Sequence, residues 1–270
     1  MSSILTNSSA LVALQTLKSI NQGMGKVQNE ISTGMKVATA KDNSSSWSIA
    51  STMRSDVKTF GKLGETVVAA SAIVGTARTA AEQVADILKE IQAKFVQAED
   101  YAAGSPELTA IQDEVDALTE TIVSIATSAQ VNGVNLTATG ATALDVTVSV
   151  VRDATGALTA EAVTVAAQDL EVLGATLAVG TDTLDDVDTL LDSANAAAAA
   201  FGAAQARIEA QGEFIMKQAD MLKLGVGALV DADMEEASAR LQALQVQQQL
   251  GIQALSIANQ APQNVLALFR

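Results

Sequence analysis

Between Phe60 and Ala98 the apolar residues are Phe60, Leu63, Val67, Ala70, Val74, Ala77, Ala81, Val84, Leu88, Ile91, Phe95 and Ala98. Their spacing alternates three and four without a break. That is the seam of a coiled coil, narrower than the apolar stripe of an ordinary surface helix. As one helix these residues form a rod of roughly 58 Å, at 1.5 Å per residue. Such a rod must lie along other long helices.

The chain supplies them. One seam runs Ala10, Ala13, Leu17, Ile20, Met24, Val27, Ile31, and another runs Leu108, Ile111, Val115, Leu118, Ile122, Ile125, Ala129. A third starts at Leu184 and Val187 and reaches Leu222, with Gln205 and Gly212 as its two interruptions. The C-terminal segment carries two stripes. Met234, Ala237, Leu241 and Leu244 form one; Ala239, Ala243, Val246, Leu250, Ala254, Ile257 and Ala261 form the other. Two stripes on one helix require neighbours on two sides, which points to assembly.

Turn and cap signals set the expected boundaries. Asn7, Ser8 or Ser9 caps the first helix, which stops near Gly34. Residues 35–46 read as a connector, and the rod ends near Tyr101–Gly104. Ser105-Pro106 restarts a helix. Asn132-Gly133 is a tight-turn signal, and Val146, Val148 and Val150 alternate with polar residues as a half-buried strand. Asp153–Gly156 is a turn, and Val163-Thr164-Val165 is the returning strand. Helix resumes near Asp182 and is expected to break at Leu224-Gly225-Val226-Gly227. Asp231 or Asp233 caps the last helix, which Pro262 ends or bends. The expected fold is mainly α: long antiparallel helices in coiled-coil bundles, with a small β-hairpin insert at about 131–180. Residues 1–45 with 230–270 should form one terminal coiled-coil domain, and 46–229 a helical domain bearing the insert.

Composition narrows the chemistry. The chain has no His and no Cys. It therefore lacks the usual proton shuttle, the commonest metal ligand and any thiol nucleophile. The acidic run Asp182, Asp185, Asp186, Asp188, Asp192 lacks the Gly and Glu of a calcium loop and reads as first-turn helix charge. Asp231, Asp233, Glu235 and Glu236 read the same way, and Gly225-Val226-Gly227 lacks the Lys-Ser/Thr of a phosphate loop. No enzymatic role and no cofactor is expected. The net charge is −15, with the acid concentrated in residues 59–230. That opposes nucleic acid and anionic membranes as partners. No apolar run is long enough for a membrane span, and no cleaved secretory signal is evident at the N-terminus. The amides Gln245, Gln247, Gln248 and Gln249, in a stretch free of charge from Leu241 to Phe269, suit an interface that avoids buried charge.

Two blocks carry a family resemblance. Ile31-Ser32-Thr33-Gly34-Met35-Lys36-Val37, followed by Ala40-Lys41-Asp42 and Ser48-Ile49-Ala50, is similar to the N-terminal signature of bacterial flagellins. Asp231-Ala232-Asp233, with Ala258-Asn259-Gln260-Ala261-Pro262-Gln263-Asn264-Val265-Leu266, resembles their C-terminal signature. Trp47 and the short middle resemble alphaproteobacterial members. The resemblance implies an extracellular, secreted subunit of the flagellar filament, a homopolymer whose paired terminal helices form an inner core. A hook–filament junction protein with the same terminal helices is the alternative. A flagellar export chaperone, the filament cap and junction proteins are implied partners. The self-assembly interface is expected at Leu17, Ile20, Met24, Val27, Ile31, Val246, Leu250, Ile257, Val265, Leu266, Leu268 and Phe269.

Overall fold

A computed structural model describes residues 7–267 except 103, 154, 175 and 176; for 261–267 it describes the backbone alone. The elements are α1 (Ser8–Thr33), α2 (Ser44–Ala98), α3 (Pro106–Ser128), β1 (Gln130–Val131), β2 (Val134–Asn135), β3 (Leu144–Arg152), β4 (Leu158–Val165), a single 3-10 turn (Val172–Gly174), α4 (Leu184–Val230) and α5 (Met234–Ala267). The fold is mainly α with a small antiparallel hairpin, as the heptads require. The chain divides into two compact units, Met1–Val57 with Met221–Arg270 and Lys58–Asp220.

In the second unit the seam of α2 is the core. All twelve residues from Phe60 to Ala98 are buried. Val187, Ala194, Phe201, Ile208 and Ile215 of α4 and Ile111, Val115 and Ile122 of α3 are buried too, and Ser71 of α2 donates to Glu209 of α4 (3.1 Å). The two interruptions in the α4 seam have local uses. Gln205 accepts from Arg78 Nε (3.1 Å) and donates to Glu209 (2.9 Å). Gly212 admits Val67, whose Cγ1 would lie 2.8 Å from any Cβ placed there. Lys94 also pairs with Glu114, joining α2 to α3.

The insert follows its turn signals. Asn132 (φ 51°) and Gly133 (φ 79°) form the left-handed two-residue turn between β1 and β2, with Val131 opposite Val134. Strand β3 pairs antiparallel with β4 and bulges between Thr147 and Ser149. Val146, Val148, Val163 and Val165 are its buried face.

In the first unit, Val37, Ala50 and Val230 form a small core with Met35 and Val226. Asn7 and Ser105 cap α1 and α3, and Asp233 caps α5 by accepting from the backbone N–H of Glu235 (2.9 Å) and Glu236 (3.2 Å). Four helix boundaries are sharper than, or differ from, the expectation. Helix α4 does not break at Leu224–Gly227 but runs to Val230. A helical Gly costs only about 1 kcal/mol against Ala, and here Val226 is held by the small core while Met53 lies beside Gly225. The stop comes where Val230 leaves the helix ladder: its carbonyl accepts from Lys36 N–H (2.7 Å), and Ala232 N–H donates to Gly34 (2.9 Å). Helix α2 starts already at Ser44, because Asn43 Oδ1 accepts from Ser46 N–H (3.1 Å), and it ends at Ala98, short of Tyr101. Helix α5 continues past Pro262, so of the two expected outcomes there the proline does not end the helix.

Candidate assembly surface

Helices α1 and α5 pack antiparallel within the first unit. Asn7 Nδ2 donates to the Ala258 carbonyl (2.8 Å) near one end, and Gln248 Nε2 donates to Asn21 Oδ1 (2.7 Å) midway. At the other end Met35 and Asp231 form an antiparallel backbone bridge. The α1 side of this seam is the heptad series from Ala10 to Ile31. Leu17, Ile20, Met24 and Ile31 are half-buried, and Val27 is 3% exposed. The α5 side begins with Ala237, Leu241 and Leu244 and goes on through Gln248, Gly251, Leu255 and Ala258, all at least half-buried. Leu17 fits over Gly251: a Cβ there would lie 3.4 Å from its Cγ. Gln248 thus sits in the seam and pairs inside the chain, whereas Gln245, Gln247 and Gln249 are exposed.

The structure therefore separates the expected interface residues. Leu17, Ile20, Met24, Val27 and Ile31 face α5 of the same chain. Val246, Leu250 and Ile257 lie on the second stripe of α5 and face away from α1, at 55%, 58% and 69% exposure. Ala239, Ala243 and Ala254 continue that stripe and are exposed. The side chains of Val265 and Leu266, and Leu268 and Phe269 altogether, lie outside the described residues.

Sequence reasoning missed part of the outward surface. Leu11, Val12 and Leu14 on α1 and Ile252 on α5 are also exposed. The signal was present as apolar residues that the heptad leaves over. Isolated exposed apolar residues are ordinary; here they occur on both of the paired helices. The α5 part of this surface is electrically quiet, since Leu241 to Gln260 carries no charged residue.

The charged groups elsewhere do local work. Asp186 accepts from Thr183 N–H (2.8 Å) and Oγ1, and Thr183 Oγ1 accepts in return from Asp186 N–H, a capping box at the start of α4. The Thr183 backbone N–H holds the Asp186 carboxyl below its ordinary value. The Thr155 hydroxyl does the same for Asp153 in the β3–β4 turn, and the Thr39 backbone N–H for Asp42 in the connector. Among the described residues no cluster of acids is arranged to hold a metal ion. No described helix is long and apolar enough to cross a membrane.

Residues 4–142 match the family model described as the bacterial flagellin N-terminal helical region, and residues 184–269 match that of the bacterial flagellin C-terminal helical region. The chain is 40% identical to a flagellin of Brucella melitensis over 284 aligned residues, covering 100% of both. It is 36% identical to flagellin C of Rhizobium meliloti, again over 100% of both. A flagellin of Caulobacter vibrioides is 34% identical over 100% of this chain and 99% of that one.

Proposed function

This chain belongs to the bacterial flagellin family, and from that premise we propose how its two ends build a filament. It is a structural subunit of the extracellular flagellar filament and polymerises with other flagellin subunits. In our reading, residues 1–45 with 230–270 form the inner core of the filament, and residues 46–229 form the outer shell with the insert towards water. Two facts support that division. The chain ends cluster into one compact unit, and the surplus acid lies in residues 59–230.

The single observation that carries the mechanism is the outward stripe Val246, Leu250 and Ile257 on a helix whose other stripe is already occupied by α1. One stripe holds the hairpin together, leaving the other for neighbouring copies. Such a contact joins different surfaces of two identical subunits. When its rotation does not close a ring, it generates an open helical polymer. Val265, Leu266, Leu268 and Phe269 extend the apolar surface by sequence and are assigned to the same interface. Passage through the flagellar export channel with a dedicated chaperone, capping at the growing tip and attachment through junction proteins complete the proposed partnership. The relatives named above are flagellins, and nothing favours the junction reading. The test is negative-stain microscopy of the purified chain in precipitating salt. Long uniform tubes support the filament subunit; short, capped or absent oligomers would favour a junction role.

A further inference from the structure

We propose that Asn132-Gly133 is a site of spontaneous deamidation whose rate is gated by the β1–β2 turn. Nine Asn residues occur in the chain, and Asn132 alone is followed by Gly. The reaction begins when the Gly133 backbone nitrogen, having lost its proton, attacks Asn132 Cγ. A C–N bond forms, the Cγ–Nδ2 bond breaks, and the amide leaves as ammonia. Water then opens the cyclic imide at either carbonyl, giving aspartate or a β-linked isoaspartate. A side chain on the following residue hinders the attack, and Gly has none.

The local structure leaves the side chain free and restrains the backbone. Both residues are exposed. No hydrogen bond engages the Asn132 carboxamide among the described residues, and nothing lies within 4 Å of a Cβ built at Gly133. The backbone, in contrast, is held at φ 51° and 79° between paired residues on both sides. Bringing the Gly133 nitrogen onto Cγ requires rotation about the Asn132 Cα–C bond, which the paired turn resists. Opening of that small ladder therefore controls the rate. Asn135, three residues on, is the contrasting case. Its Nδ2 donates to Ala126 (2.9 Å) and Thr127 (3.1 Å), and its Oδ1 accepts from Thr137 N–H (2.7 Å), so its carboxamide is pinned.

The product has a structural consequence. Isoaspartate adds a methylene to the main chain inside a two-residue turn, so Gln130 and Asn135 can no longer sit opposite each other. Asn135 holds the loop that buries Leu136 and Thr137, and strain at the turn loosens that anchor. Deamidation also adds a negative charge to the most acidic part of the chain.

The experiment incubates the full chain in mildly alkaline buffer, with and without denaturing urea. Peptide mass spectrometry then follows the exchange of ammonia for water at each Asn, and a fragmentation method separates isoaspartate from aspartate. Asn132 should convert ahead of every other Asn in both conditions, and on the order of ten-fold more slowly in the folded chain, as expected for a locally opening turn. An Asn132→Gly variant should show no early conversion. Equal rates with and without urea would overturn the gating, and earlier conversion of another Asn, such as Asn43 or Asn135, would overturn the site.

Discussion

Gly212 shows how a single residue that breaks the apolar pattern can be required by it. Its place in the α4 seam is a gap that Val67 fills from α2. Gly212→Ala should destabilise the second unit by about 1–3 kcal/mol, the usual cost of overpacking, although Ala is the better helix former. Chemical denaturation followed by circular dichroism measures this, and an unchanged or raised midpoint would refute it. Thr119 is the opposite case. Sequence hydrophobicity passes over it, yet it is buried in α3, because its hydroxyl donates to the Asp116 carbonyl (2.9 Å) and leaves no polar group unsatisfied. Asp42 supplies a pH dependence. Thr39 N–H (2.9 Å) and Thr39 Oγ1 (3.0 Å) both donate to its carboxylate and lower its pKa from 3.8. A depressed carboxyl pKa contributes stability that is present above the unfolded value and lost as pH falls through the folded value. The Thr39 amide resonance should therefore titrate with a midpoint below 3.8. A midpoint at or above that value would remove the assignment.

At the scale of elements, α2 and the α1–α5 pair differ in how complete they are. Every seam residue of α2 is buried within the chain, whereas α1 has one fully buried residue, Val27. Along α5 as far as Gln260, Ala237 is the one residue fully buried. Helices without packing partners are marginal, so the ends should be the weakest part of an isolated subunit. Brief proteolysis of the monomer should remove roughly the first 40 and last 40 residues and leave a helical core, following local opening. Equal resistance of α1, α5 and α2 would contradict this. The contrast also explains what the sequence made legible. The α2 core and the Asn132-Gly133 turn depend on spacing and local chemistry, so they could be read directly. The run of α4 through Gly225 and Gly227 depends on Met53 and Val226 finding partners from distant segments. The α5 seam beyond Leu244 was hidden because Gln248 and Gly251 look like interruptions. They become seam residues only opposite Asn21 and Leu17.

For the whole molecule, the proposed function divides labour between two stripes of α5: one closes the subunit on α1, and the other is assigned to neighbouring copies. The outward stripe alone gives three large apolar side chains, each worth about 1.5–3 kcal/mol when buried. They contribute nothing while exposed to water. Replacing them should therefore leave the monomer untouched and abolish the polymer. The most direct measurement compares the full chain with a Val246→Ser, Leu250→Ser, Ile257→Ser variant, using circular dichroism of the monomers and electron microscopy in precipitating salt. The expected result is the same helical signal for both monomers, with long tubes from the full chain and none from the variant. Normal tubes from the variant, or loss of helix in its monomer, would contradict that division between the two stripes.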